Sequence, residues 1–174
     1  SIVNSQVLPQ SLFQHCQQFA INFHDSPLPR FAGVNATCWA ILNNEKRHGI
    51  SWHVINSMID GGDILKQVTF DISKDETALS LNLKCYQHAI EAFSELVGEL
   101  GNKTYQRLSQ DLSQRTYYGL SKKPPGNGLI SWEDSAENID RLCRALYLGQ
   151  YNNRFSVAKF MINEEVFVID EWRI

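Results

Sequence analysis

The strongest constraint on the fold is a short apolar run, FAINF at 19–23, that stops at a loop with two prolines and a glycine, HDSPLPRFAG. Such a run is typical of a buried strand, because both of its faces avoid solvent. A helical pattern follows at 35–49, and β-type patterns follow at 50–55 and 65–72. Strand and helix signals therefore alternate, which predicts an α/β architecture.

A long amphipathic helix is predicted from Thr77 to about Leu100. Thr77 is a suitable N-cap, and the pair at 101–102, Gly-Asn, is a suitable stop. Apolar residues recur between them at spacings of three and four, as on one face of a helix. This stripe consists of Leu79, Leu83, Tyr86, Ile90, Phe93 and Val97.

The chain after this helix divides into two further parts. Residues 103–129 are polar and end in KKPPGNG, which is typical of a connecting segment, although their tyrosines favour packing on the surface. A capping-box pattern at 131–134 then predicts a helix, and two β-like runs around Asn163 and Glu164 predict a hairpin. We therefore expect an α/β core at 1–102, a connection at 103–129, and the start of a small helix-plus-hairpin domain at 130–174.

Composition excludes several classes of protein. The 174 residues are 43% hydrophobic and 20% charged, which is ordinary for a folded domain and not for a disordered chain. The net charge of −3 gives no basic field for a nucleic acid, and no apolar run approaches the roughly 20 residues of a membrane helix. We therefore expect neither nucleic acid nor membrane as a partner.

The cysteines indicate the compartment. They are widely spaced and form no Cys-x-x-Cys pair, so neither a zinc site nor a disulfide framework is expected. Free thiols are typical of a reducing cytosol, and we expect a cytoplasmic protein with no bound metal. The four residues are Cys16, Cys38, Cys85 and Cys143.

Asn22 and His24 are the first candidate functional residues. They lie two positions apart on one predicted strand, so their side chains share a face. An amide N–H and a ring that titrates near neutral pH can together stabilise an oxyanion and manage a proton. The structural alternative is that both side chains satisfy backbone groups at a strand end.

The second candidate is Asp60, in the sequence MIDGGD at 58–63. An acid before two glycines predicts a tight turn that a flat ligand can approach closely, and Asp60 beside His24 would form an acid–base set. The alternative is an ordinary turn with solvated carboxylates. His53 lies in the alternating run ISWHVI and can face either side of its strand.

These segments, INFHDSPLPRFAG and HGISWHVINSMIDGGDIL, resemble the folate-dependent formyltransferase family. The family includes glycinamide ribonucleotide, methionyl-tRNA and sugar-amine formyltransferases. The resemblance covers about residues 1–100 and is closest to formyltransferase domains of nonribosomal peptide synthetases and to the sugar-amine enzymes. The matched positions are Asn22, His24, Ser26, Leu28, Pro29, Gly33 and Asp60.

The resemblance implies a Rossmann-like catalytic domain that takes 10-formyltetrahydrofolate as co-substrate and passes the formyl group to an amine. It implies that Asn22 and a protonated His24 stabilise the oxyanion. It also implies that Asp60, and not Asp63, orients His24 and takes the proton of the amine. It maps the folate-binding residues onto Gln6, Val7 and Leu8 in a strand end and onto the backbone of Ser57, Met58 and Ile59.

Compared with the family, the chain is expected to lack the N-terminal strands of the domain and to carry a short β-containing C-terminal extension. A sheet edge left open in this way invites pairing. We therefore expect either a further polypeptide segment or a dimer to cover that edge.

The sequence does not identify the acceptor of the formyl group. The acceptor is expected to be a small-molecule amine or a carrier-bound amino acid, that is, a sugar nucleotide amine or an aminoacyl group. The alternatives are a formyltetrahydrofolate hydrolase, a non-catalytic partner domain, and a methionyl-tRNA formyltransferase. The acidic balance disfavours the last of these, because tRNA binding favours a basic surface.

Overall fold

The computed structural model describes residues 1–2 and 8–173, so Gln6 and Val7 lie outside the described residues. The described chain is a mixed α/β structure, as predicted. Its elements are α1 (Gln10–Phe13), β1 (Ile21–His24), β2 (Ala32–Gly33), α2 (Ala36–Leu42), β3 (Arg47–Val54), β4 (Ile64–Asp71), α3 (Ala78–Asn102), β5 (Tyr117–Tyr118), α4 (Ala136–Leu146), β6 (Lys159–Ile162) and β7 (Glu165–Val168).

A three-stranded sheet in the order β1–β3–β4 forms the centre of the described structure, and its neighbouring strands run antiparallel. Asn22 lies opposite His53, and His24 lies opposite Ser51. β2 and β5 form a short parallel pair, and β6 and β7 form the predicted antiparallel hairpin. The prediction that further polypeptide or a second copy covers a sheet edge stays a prediction.

Helix α3 packs on one face of this sheet, but the predicted stripe is not its buried face. Leu83 and Ile90 are 59% and 70% exposed. Two alanines at the interface let the helix approach the sheet closely, and the Trp52 indole donates to the Ala89 carbonyl at 3.1 Å. The helix is apolar on two sides, so periodicity alone could not select the inner one. The buried residues are Ala78, Leu81, Cys85, Ala89, Ala92 and Leu96.

A second core joins α2 to the later parts of the chain. The Trp39 ring stacks on Tyr118 with centroids 4.4 Å apart and meets Phe155 edge-on at 5.1 Å. Cys143 and Leu146 of α4 are buried in the same cluster. Residues 103–129 and 130–174 thus share a hydrophobic core with α2, which fixes them against the segment at 1–102.

Two predicted helix boundaries were wrong. The helix predicted at 35–49 ends at Leu42, because Asn44 takes a left-handed conformation and β3 begins at Arg47. The helix predicted to open with a capping box at 131–134 is capped instead by Ser135, whose hydroxyl accepts from the Asn138 N–H. Short polar segments offer several possible caps, and the sequence does not choose between them.

The described residues include no helix that is long and apolar enough to cross a membrane.

Leu81 and Leu83 give a matched test of the orientation of α3. Leu81 is fully buried, whereas Leu83 is mostly exposed. We expect Leu81→Ala to lower the free energy of unfolding by about 2–5 kcal/mol. Leu83→Ala should change it by no more than about 0.5 kcal/mol. Urea unfolding followed by circular dichroism measures both, and equal losses would mean that the helix is rotated.

Candidate active site

The three predicted catalytic residues are brought together on the face of the sheet that lies away from α3. Phe23 and Trp52 point into the core beneath α3. Because side chains alternate along a strand, Asn22, His24 and His53 project from the opposite face. His24 and His53 are buried there, and Asn22 is half-buried.

A β-bulge places His53. The pairing of β3 with β4 shifts between Trp52, which lies opposite Lys66, and His53, which lies opposite Ile64. A bulge bends a strand and re-aims the side chains beside it. The consequence here is that the His53 ring reaches both Asn22 and the turn after β3, with its Nε2 3.3 Å from Asn22 Nδ2.

Asp60 lies at the centre of the cluster. Its backbone is in the left-handed region, with a φ of 51°. Its carboxylate accepts a hydrogen bond from the Gly33 N–H at 2.8 Å. The same carboxylate lies 3.9 Å from His24 Nδ1 and 3.5 Å from His53 Nε2, with only 10% of the side chain exposed. Two imidazoles and one backbone donor therefore surround one buried carboxylate.

The surroundings of Asp60 favour its ionised form. Burial alone would raise the pKa of this carboxyl, but the hydrogen bond with His53, the charge of His24 and the Gly33 N–H outweigh it. The pKa of Asp60 is therefore lower than its ordinary value. Asp60 is thus ionised at neutral pH and accepts hydrogen bonds.

The contacts of His24 define which ring nitrogen faces the site. Nε2 lies 2.8 Å from the Phe31 carbonyl oxygen, which can only accept, so Nε2 carries a proton. Nδ1 faces the carboxylates of Asp25 at 3.7 Å and Asp60 at 3.9 Å. A protonated His24 therefore presents its second N–H, on Nδ1, to the carboxylates of Asp25 and Asp60.

His53 has two alternative partners. Its Nδ1 lies 2.9 Å from the Val54 carbonyl oxygen and so carries a proton. When the ring is neutral, Nε2 can accept from Asn22. When the ring is protonated, Nε2–H can donate to Asp60 instead. The protonation state of His53 therefore decides whether it holds the amide or the carboxylate.

The proline-containing loop holds these groups in place. The Ser51 hydroxyl donates to the Ser26 carbonyl at 2.7 Å and accepts from the Leu28 N–H at 3.1 Å. Gly33 has a φ of 103°, and a Cβ there would collide with the Tyr118 carbonyl oxygen. A glycine is therefore required where the N–H must reach Asp60.

The residues expected to bind folate are only partly described, and their role stays a prediction. Leu8 is half-buried and lines a cavity of about 650 Å³ with Ile21 and Ile55 among its other walls. Ser57, Met58 and Ile59 are exposed. Gln6 and Val7 lie outside the described residues.

Sequence reasoning left His53 undecided and missed the segment after α3. Gln110 donates to the Asp60 carbonyl at 2.9 Å, and Arg115 donates to the Ile59 carbonyl at 2.8 Å. Asp63 pairs with Arg107 at 2.9 Å, away from the cluster. No sequence signal identifies Gln110, because a glutamine in a polar segment is ordinarily solvated. Within the described ranges, no group of side chains is arranged to hold a metal ion.

Comparison with known proteins relates this chain to one family. The formyl transferase family model matches residues 3–97. The methionyl-tRNA formyltransferase of Acetivibrio thermocellus is 32% identical over 139 residues, which are 80% of this chain and 44% of that protein. The chain thus spans less than half the length of this relative.

Solved structures resemble the chain as well. An N-formyltransferase from Helicobacter canadensis, in complex with folinic acid and dTDP-3-aminofucose, is 25% identical with a TM-score of 0.66 over 83% of this chain and 51% of that one. A 4-N formyltransferase from Francisella tularensis matches 99% of this chain and 70% of that one, with a TM-score of 0.81 and 19% identity. The second similarity concerns the fold alone.

The pKa of Asp60 predicts how stability depends on pH. Because this pKa is lower in the folded than in the unfolded chain, its contribution is full above the ordinary value of 3.8 and is lost as the pH falls through the folded-state pKa. We expect Asp60→Asn to flatten the dependence of unfolding free energy on pH as the pH falls below about 5. Urea unfolding at a series of pH values measures it, and identical slopes for both proteins would contradict the lowered pKa.

Proposed function

Because the chain belongs to the formyl transferase family, we propose that it transfers a formyl group from 10-formyltetrahydrofolate to the amine of a small or carrier-bound substrate. The observation that best supports this proposal is the buried Asp60 carboxylate, which has the Gly33 N–H at 2.8 Å and two imidazoles within 4 Å. Asn22 joins this cluster through His53. The arrangement supplies hydrogen-bond donors and one proton acceptor in the same place.

The surface beside the cluster suits a flat, partly apolar co-substrate. Met58 and Ile59 are 45% and 40% exposed next to Asp60. Such exposed apolar groups beside a few polar ones are typical of small-molecule sites. We propose that Gln6, Val7, Leu8, Ser57, Met58 and Ile59 bind the folate.

The co-substrate supplies the formyl group, with nitrogen N10 as the leaving group. Asp60 takes a proton from the amine as the new C–N bond forms, directly or through a water molecule. Asn22 and protonated His24, through Nδ1–H, donate to the formyl oxygen as negative charge develops there. The proton returns to N10 as its bond to the formyl carbon breaks, so the products are a formamide and tetrahydrofolate.

Two classes of acceptor are supported by the relatives. The Helicobacter canadensis enzyme was solved with an amino-sugar nucleotide, and the 32% identical relative is a methionyl-tRNA formyltransferase. The net charge of −3 favours the smaller acceptor, because a tRNA substrate favours a basic surface. We therefore propose a sugar nucleotide amine or a carrier-bound aminoacyl group, with methionyl-tRNA as the second candidate.

A panel of acceptors tests this choice. The protein is incubated with 10-formyltetrahydrofolate and, in separate reactions, an amino-sugar nucleotide, a carrier-bound aminoacyl thioester, methionyl-tRNA or no amine. Tetrahydrofolate release and the mass of the formylated product are measured. Release without an amine would identify a hydrolase instead, and absence of both release and folate binding would indicate a non-catalytic domain.

Asp60→Asn tests the catalytic cluster. The amide keeps the shape of the side chain but cannot take a proton, so we expect kcat to fall by about 10²–10⁴-fold. Asp71→Asn is the control, because Asp71 is an exposed carboxylate at the end of β4. Thermal unfolding establishes that both variants are folded. An Asp60→Asn protein that retains near-wild-type transfer would overturn the proposed role.

A further inference from the structure

The segment that follows α3 crosses over the turn that carries Asp60. We name residues 107–115 the strap. Leu108 exchanges two backbone hydrogen bonds with Ile64, at 2.8 and 2.9 Å. Arg107 and Ser109 both bond to the Asp63 carboxylate, at 2.9 and 3.2 Å. The strap is therefore anchored to the chain just beyond the turn, at the start of β4.

Gln110 lies at the middle of the strap and bonds to the turn itself. Its Nε2 donates to the Asp60 carbonyl at 2.9 Å and to the Gly62 carbonyl at 2.6 Å. Its Oε1 is buried and has no hydrogen-bond partner among the described residues. An unpaired buried amide oxygen costs free energy, so the two donated bonds are what holds this side chain in place.

The backbone that Gln110 holds is an unusual one. Asp60 has a positive φ of 51°, which is unfavourable for a residue with a side chain. Gly62 packs so closely against the Val54 carbonyl that no Cβ fits. Arg115 adds a third side-chain bond, to the Ile59 carbonyl at 2.8 Å. The strap thus fixes the carbonyls on both sides of the residue whose carboxylate reaches the cluster.

We propose that Gln110 is a positioning residue for Asp60. It holds the left-handed backbone so that the carboxylate meets the Gly33 N–H, His24 and His53. This inference rests on the proposed formyl transfer, because positioning matters only if Asp60 takes part in the reaction. The geometric part, that the Gln110 amide orders the turn at 58–63, can be tested without any activity.

Gln110→Met is the principal variant. Methionine keeps the length of the side chain but removes both donors and the unpaired oxygen, so the turn loses its clamp. Gln114→Met is the matched control, because Gln114 is exposed on the same strap and bonds only to Asp111 in the described structure. Circular dichroism and thermal unfolding establish that each variant is folded. If Gln110→Met does not fold, Gln110→Asn serves instead, because its shorter amide cannot reach both carbonyls.

Two measurements test the inference, namely the steady-state kinetics and the hydrogen–deuterium exchange of the turn. We expect Gln110→Met to lower kcat by about tenfold or more with little change in KM, because a small misplacement of a catalytic group can cost up to about 100-fold. We also expect faster hydrogen–deuterium exchange at the amides of 59–63 in Gln110→Met than in Gln114→Met. Unchanged exchange there overturns the inference whatever the activity.

Gln110→Glu tests whether the side chain at 110 lies close enough to Asp60 to affect its carboxylate. It places a negative charge beside Asp60, which disfavours the ionised carboxylate, so the acid limb of the kcat–pH profile should move to higher pH. Gln114→Glu should leave that limb in place.

A wild-type protein that transfers no formyl group refutes the proposed function, and the exchange experiment then decides the inference alone. If the wild-type protein transfers formyl groups and Gln110→Met cannot be distinguished from Gln114→Met in kinetics and exchange, only the inference is refuted.

Discussion

The hydrogen bond from the Gly33 N–H to the Asp60 carboxylate joins the two parts of the chain that carry the site. It is 2.8 Å long and links the proline-containing loop to the turn after β3. The Gly33 N–H is held in position because the Gly33 backbone packs against Tyr118 of β5. The carboxylate therefore depends on three segments that are far apart in the sequence, and each of them must be in place.

Electrostatics explains why so many donors surround one carboxylate. Removing a carboxylate from water is costly unless hydrogen bonds and opposite charge replace its hydration. Asp60 receives both, from Gly33 and from the two histidines. The same groups are useful to a reaction that develops negative charge, because they are already oriented and need no rearrangement when the charge appears. The requirements of folding and of the proposed chemistry coincide at this point.

Local patterns predicted part of the structure, and the reasons are physical. Asn22 and His24 share a face because a strand has a period of two, and Asp60 was singled out because two glycines follow it. His53 could not be oriented in this way, since alternation gives the period of a strand but not which face is buried, and a bulge shifts the register beside it. The same limit applies to α3, where Leu81 rather than Leu83 is buried, because both belong to plausible apolar stripes.

Gln110 shows what sequence patterns omit altogether. Its bonds are from a side chain to backbone carbonyls, and such bonds leave no periodicity or composition by which to find them. The sequence of a polar segment predicts a solvated connection, whether or not its side chains bond to another part of the chain. Only the placement of the strap against the turn distinguishes the two cases.

The strap also has a consequence for the order of folding. Its bonds to the turn join residues 48 to 56 positions apart, with the whole of the 25-residue helix α3 between them. Closing so long a loop costs chain entropy that is recovered only after α3 has docked on the sheet. A chain with α3 still undocked has the Asn22–His24 strand but lacks the strap bonds to the Asp60 turn. The proposed chemistry therefore depends on a distant stretch of the chain having folded.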